Sequence, residues 1–320
     1  MPCEHIASAM CQTVAAQFGT LASVDVHVAQ VNIAVIRAPV GDPLVAEFVD
    51  NLDRINALAD TSPGFVWRLQ TEEGNATSIH AFPDPMLLVN ISVWESVEAL
   101  QDFAYRTDHR EYVKRRAEWF VDGTTRLALW WVPAGTIPTI DDAKRRLGFL
   151  AAHGPSPYAF RFGKTPSRAV VSRTTFADDT TVALVRRLND ELSGMYPEDG
   201  ANHFTLDPDS VIPPAGVMVR ATLDGTPVAC GALRMLDERT GELKRMYVDP
   251  AVRGLKLGAA ILDALEHEAA ALGARELCLE TGSRQTAAIG LYEKAGYVPT
   301  PLWGEYLRSP ETSRCYRKVL

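Results

Sequence analysis

The chain has 320 residues, 47% hydrophobic and 22% charged, with a formal net charge of −8. Its length suggests two domains, each able to bury its own core, and its acidic balance argues against nucleic acid or an anionic membrane surface as a partner. No apolar run approaches the ~20 residues of a membrane span, and five cysteines (Cys3, Cys11, Cys230, Cys278, Cys315) without a C-x-x-C pair argue against a disulfide framework or a zinc site and for a reducing, cytoplasmic setting.

Residues 1–28 lack the basic start and solid apolar block of a secretory signal and read as an extension. Apolar periodicity then predicts a strand over 31–38, a helix over 44–59, strands over 65–71, 77–82 and 87–94, helices over 97–106 and 109–120, a strand over 126–133 and a helix over 141–153. That order predicts a β-α-β-β-α-β domain of one antiparallel sheet with helices on one face, whose other face needs a cover. Trp67, Trp94, Trp119, Trp130 and Trp131 fall here and are expected in its core, as large aromatics dominate burial. His80 and His109 are its two candidate catalytic groups, and neither has a metal-ligand neighbour at helical spacing. Tyr158, Phe160 and Phe162 alternate in a tail of this domain, and the Gly- and Pro-bearing stretch 163–167 marks the break. The predicted division is 1–28, 29–163 and 164–320.

The second half predicts a strand over 169–176, a helix over 180–195, a long loop holding Tyr196, Glu198, Asp199 and His203, and two strands joined through Asp224-Gly225, a hairpin turn signal. A strand over 241–248 follows, closed by Asp249-Pro250 because proline donates no ladder hydrogen bond. From about Leu257, apolar residues recur at helical spacing as far as Gly273, which suits a carboxy-terminal cap. Between strand and helix lies Arg253-Gly254-Leu255-Lys256-Leu257-Gly258-Ala259. Bare backbone at a helix start, with two added cations, suits a phosphate. The spacing matches neither the ATP-type loop nor the dinucleotide loop.

This loop, with Ala288, Leu291, Tyr292, Gly296 and Tyr297 in the stretch 277–298 and the closing SRCYRKVL, resembles the GCN5-related N-acetyltransferase (GNAT) family over residues 168–320. The resemblance implies a mixed α/β acetyltransferase fold with acetyl-CoA as co-substrate and no metal. Arg253, Gly254, Leu255, Lys256, Leu257, Gly258 and Ala259 would hold its pyrophosphate, with Lys256 where the family has a middle glycine and Gln285 where it often has asparagine. Backbone groups of Met246, Tyr247 and Val248 would bind the pantetheine arm as an added strand; Gln285 and Ala288 complete the expected cofactor contacts. Residues 29–162 resemble the DUF3291 family of ferredoxin-like dimeric α+β barrels, on the stretches PGFVWRLQTEEG, LLVNISVWESVEAL and LALWWVPAG and around Asp108-His109. That resemblance implies a homodimer through the amino-terminal domain.

An amine attacks a thioester only when unprotonated, and the leaving thiolate benefits from an acid. Tyr292 stands where the family places its acid, and a phenol stays protonated at neutral pH. Glu242, eleven residues before Arg253, falls where some members of the family carry a catalytic glutamate and is the base the resemblance implies, with Glu280 and Asp249 as weaker alternatives. The expected reaction is acetyl transfer to a primary amine of a small molecule. A protein lysine acceptor, or a ligand-sensing barrel joined to a weakened, cofactor-responsive acetyltransferase domain, are the alternatives.

Overall fold

The computed structural model describes residues 25–197 and 206–320, so Glu198, Asp199 and His203 lie outside the described residues. Two compact units divide the chain at Arg168/Ala169.

In the first unit, β1 (Val26–Val35), β2 (Phe65–Arg68), β3 (Leu87–Trp94) and β4 (Arg126–Pro133) form an antiparallel sheet in the order β2-β3-β1-β4. β1 starts inside the stretch expected to be an extension, since Val26 already pairs with Pro133. Between β1 and β2 the expected single helix is broken into a 3₁₀ turn at Pro43–Val45, α1 (Ala46–Asp50) and α2 (Leu52–Asp60). The strand expected over 77–82 is absent: that stretch is turn and coil, with Asn75 Oδ1 accepting from the Thr77 amide at 3.0 Å. Such a side-chain bond offers the backbone an alternative to a ladder. Two helices, α3 (Val97–Arg106) and α4 (His109–Arg115), precede β4, and α5 (Ile140–His153) follows it with a Thr139–Asp142 capping box.

Register explains how this sheet is covered. Val28, Trp94 and Trp131 share one face with Gln30, Ser92 and Leu129 and with Asn32 and Asn90. Gln30 Nε2 donates to Asn90 Oδ1 at 2.7 Å and Ser92 Oγ at 3.1 Å, and Trp94 Nε1 donates to Ser92 Oγ at 2.9 Å. Val28, Trp94, Leu129 and Trp131 of this face are buried, while Ala34, Leu88 and Leu127 are partly buried and Asn32 and Asn90 exposed. Phe160 closes the β4 edge by backbone pairing with Leu129 and packs on Trp131, as the alternating aromatic tail predicts. The face expected to be bare and apolar thus mixes buried aromatics with polar and partly exposed apolar residues. Trp94, Trp119, Trp130 and Trp131 are core residues.

The second unit is a seven-stranded sheet among the described residues. Its strands are β5 (Ala169–Thr174), β6 (Gly216–Leu223), β7 (Thr226–Met235), β8 (Thr240–Val248), β9 (Glu276–Gly282), β10 (Val298–Thr300) and β11 (Ser313–Val319). Their order is β10-β11-β9-β8-β7-β6-β5, antiparallel except at β8-β9. That parallel pair is joined by α7 (Leu257–Ala271), a crossover such a pair requires. Ile261 and Leu265 of α7 are fully enclosed against Leu233, Leu243, Leu277 and Leu279. α6 (Asp179–Met195) covers the opposite face through Leu184, Val185 and Leu188, which meet Met218, Cys230 and Tyr247. A last helix, α8 (Thr286–Lys294), carries Tyr292.

A bulge in β8 shapes the centre of this sheet. Ladder register shifts between Cys230 and Ala232, and the extra residue, Arg245, sits in the left-handed region at φ +57°. Gly231 lies opposite, where a Cβ would fall 2.6 Å from Ile261, 2.7 Å from Met246 and 2.9 Å from Leu265. We expect Gly231→Ala to overpack this spot at a cost of about 1–3 kcal/mol, read as a lower midpoint in urea unfolding with an unchanged slope. No helix among the described residues is long and apolar enough to cross a membrane.

Candidate functional site

β8 and β9 pair only from Thr240/Glu276 to Leu243/Leu279. Beyond that point β8 runs on to Val248 held by β7 alone, and β9 runs on to Gly282 held by β11 alone. The two strands part and leave a gap in mid-sheet. Met246, Tyr247 and Val248 lie on the β8 side of it, so their backbone is available to an added strand. The Tyr247 side chain is buried with Cys230 on the α6 face, while Met246 approaches Gly231 on the α7 face.

The loop that follows is bent by two left-handed residues. Gly254 has φ +90° and Lys256 has φ +64°, the latter as the cap of α7. Lys256 therefore adopts the conformation that a glycine would take at this position, at a cost of roughly 1–2 kcal/mol. Leu257, Gly258 and Ala259 form the first turn of α7, whose N–H groups have no partner within the helix. Gly258 is tightly placed, with a hypothetical Cβ 3.3 Å from Leu291. Leu255 is exposed.

One face of α6 anchors this loop twice. Arg187 Nη1 lies 2.6 Å from Asp249 Oδ2, and Asp249 is buried and also accepts from the Ala251 amide at 3.0 Å. Four residues on, Glu191 takes Arg253 Nη2 at 2.9 and 2.6 Å, while Arg253 Nε donates to the Val248 carbonyl at 3.0 Å. Sequence reasoning missed both anchors; their i, i+4 spacing on a helix was the available signal.

Tyr292 is buried, and burial, with the Glu280 carboxyl adding to it, pushes its phenol well above the ordinary range. Gln285 turns inward: its Oε1 accepts from the Gly282 amide at 2.8 Å and the Thr281 hydroxyl at 3.1 Å, holding the turn into α8. Ala288 packs against the apolar core. Tyr196, expected in an acceptor loop, instead docks under this turn. Its hydroxyl accepts from the Arg284 amide at 2.7 Å, in the space a Cβ on Gly282 would need.

Glu242 is not an open base. It is fully buried, with Arg234 Nε on one carboxylate oxygen and the Tyr306 hydroxyl on the other. Tyr306 in turn accepts from Lys244 Nζ at 2.9 Å, which also donates to Glu305 at 3.0 Å. This corrects the role read from sequence: both oxygens are engaged and neither reaches solvent. Glu280 shares this sheet face, since Leu277 and Leu279 of the same strand join the α7 core and Cys278 pairs with Glu242. It is only partly buried. Burial raises its carboxyl above the ordinary range, opposed by Ser313 and Lys244 and reinforced by Glu242 and Glu305. Asp249, the other alternative base, is committed to the loop anchor.

Other reactive groups are held quiet. Burial pushes the Cys230 and Cys278 thiols up to about 12. In the first unit His109 stacks on Phe103 at 4.6 Å and burial lowers its pKa, while His80 is exposed.

Comparison with known proteins finds matches to both halves of the chain. The model of the acetyltransferase (GNAT) family matches residues 182–297, and that of the domain of unknown function DUF3291 matches residues 27–175. A relative from Azospirillum brasilense, called IAA acetyltransferase, is 36% identical over 44% of this chain and 91% of its own length. An uncharacterized N-acetyltransferase of Schizosaccharomyces pombe is 33% identical over 33% of this chain and 65% of its own. A solved structure, described as a putative acyl-CoA N-acyltransferase from Klebsiella pneumoniae subsp. pneumoniae, is 31% identical, covering 48% of this chain and 97% of its own, with a TM-score of 0.41. The chain belongs to the GNAT acetyltransferase family and is an N-acetyltransferase, with a DUF3291 domain at its amino-terminal end.

Arg187→Met would leave the Asp249 carboxylate buried without its cation, and we expect a loss on the order of 3 kcal/mol. Differential scanning calorimetry should show a lowered Tm for the variant; an unchanged Tm would mean that the Arg187–Asp249 pair does not hold the loop.

Proposed function

We propose that this protein transfers an acetyl group from acetyl-CoA to a primary amine of a small molecule, with the donor lying in the gap between β8 and β9. The observation that carries the reading is the parting of these strands beyond Leu243/Leu279, directly ahead of the loop that opens α7. In this reading the backbone of Met246, Tyr247 and Val248 holds the pantetheine arm. The α7 amide groups of Leu257, Gly258 and Ala259, together with Arg253, meet the diphosphate. Lys256 fits the loop, because its left-handed backbone presents its neighbours as a glycine would. Gln285 and Ala288 then shape the turn beside the donor rather than bind it directly.

Acetyl-CoA supplies the activated acetyl thioester. Glu280 takes the proton the amine must shed, in place of the enclosed Glu242, since it is partly exposed and burial has raised its proton affinity. Tyr292 donates a proton to the departing sulfur, which its raised pKa allows across neutral and mildly alkaline pH. Both Glu280 and Glu305 are partly exposed on this sheet face, and their carboxyls suit an ammonium-bearing acceptor. Glu242 orders the wall of the acceptor site through Arg234, Tyr306 and Lys244.

Binding is tested by thermal denaturation. Acetyl-CoA at a hundredfold excess over its Kd should stabilise the fold by about 2.7 kcal/mol; no shift in Tm and no heat of binding at millimolar acetyl-CoA would overturn the reading.

Catalysis is tested by thiol release with an accepted amine. Tyr292→Phe should lower kcat by about 10²-fold or more, since a positioned proton donor contributes roughly 10²–10⁴, with acetyl-CoA affinity retained. Wild-type activity should fall as pH drops through the raised Glu280 pKa, because the base works only when ionised. Glu280→Gln should be slow and flat across that limb, whereas an unaltered limb in Glu280→Gln returns the base role to another group.

A further inference from the structure

Arg253 is the loop cation expected to meet the cofactor's diphosphate, and two groups already fix its guanidinium. Nε donates to the Val248 carbonyl at 3.0 Å, and Nη2 donates to both Glu191 oxygens at 2.9 and 2.6 Å. These contacts set the plane of the group from two directions, one from the end of β8 and one from α6. Nη1 has no protein partner among the described residues. A planar guanidinium held along two of its nitrogens presents the third in a fixed direction.

We propose that Glu191 is a positioning residue for the donor: it presets Arg253 so that Nη1 is aimed at the cofactor's diphosphate before binding. The proposal rests on the acetyl-CoA reading above. A long, exposed arginine otherwise loses rotamer freedom when it binds an anion, and Glu191 removes that cost in advance. Opposing this, a carboxylate beside the guanidinium weakens the local positive field. Geometry decides for preorganisation, because the Glu191 oxygens and the Val248 carbonyl engage Nη2 and Nε and leave Nη1 to a ligand, so no Arg253 contact must break. The pair itself is partly exposed, with side chains 47% and 32% accessible. Such pairs add little to folding stability, so Glu191→Gln is expected to fold normally, unlike Arg187→Met one turn earlier.

The test is a double-mutant cycle on the full chain, reading the Kd of acetyl-CoA by calorimetry for the unaltered protein, Glu191→Gln, Arg253→Gln and the double variant. Glu191→Gln should weaken binding about three- to tenfold, the effect of one additional side chain to immobilise. In the Arg253→Gln background the same change should alter Kd by less than about twofold, since coupled residues are non-additive. Equal weakening in both backgrounds would show a general disturbance of α6 and overturn the proposal. Unchanged or tighter binding by Glu191→Gln would overturn it in favour of simple charge competition. Absence of binding by the unaltered chain would instead overturn the donor reading itself, and this inference with it.

Discussion

The candidate site depends on one constraint in the sheet: a parallel pair of strands that can hydrogen-bond for four residues and then must part. β8 and β9 are joined by α7 and start in register, but the bulge at Arg245 adds a residue to β8 and bends it while β8 stays paired with β7. β9 meanwhile follows β11. Backbone donors and acceptors are left along the gap, and such groups need partners. A ligand with its own amide groups can satisfy them. Gly231 permits the bend because no side chain can occupy the space filled by Ile261, Met246 and Leu265.

The second layer of control is α6, which both covers the sheet and anchors the loop. Its apolar residues Leu184, Val185 and Leu188 belong to the core, while Arg187 and Glu191 reach the turn after β8. The two ion pairs differ in kind. Asp249 is buried, so its partner compensates a desolvated charge. Glu191 is partly exposed, so its contact contributes orientation more than stability. On the other side of the site, the buried Glu242, Lys244 and Tyr306 join the partly exposed Arg234 and Glu305 in a network in which each charge has an opposite partner. A carboxylate so engaged orders its surroundings.

The first unit shows the same dependence on register. Its antiparallel sheet was expected to bare an apolar face, yet one face carries Gln30, Asn32, Asn90 and Ser92 among its aromatics. Polar residues on a strand read alike whether they face solvent or each other. Here Gln30 and Ser92 are buried and hydrogen-bonded together, and the Phe160 segment and the aromatics around Trp94 complete the cover.

The sequence by itself determined the elements with strong local signals. Period-2 and period-3.6 patterns located most strands and helices, and proline and glycine ended them. The turn from Arg253 into α7 and the helix that carries Tyr292 were legible because their signals lie in adjacent residues. What only the tertiary structure decided were relations between residues far apart. Glu242 and Glu280 are both strand carboxylates, and alternation could assign each a face but not a partner. Arg234 and Tyr306 close over the first, while the second keeps an exposed edge. Tyr196 lies 88 positions from Arg284, and Glu191 62 from Arg253, yet each pair is in contact. Local propensity acts over a few residues, whereas burial and hydrogen-bond partners are set by which segments the packed sheet brings together, and that information is not local.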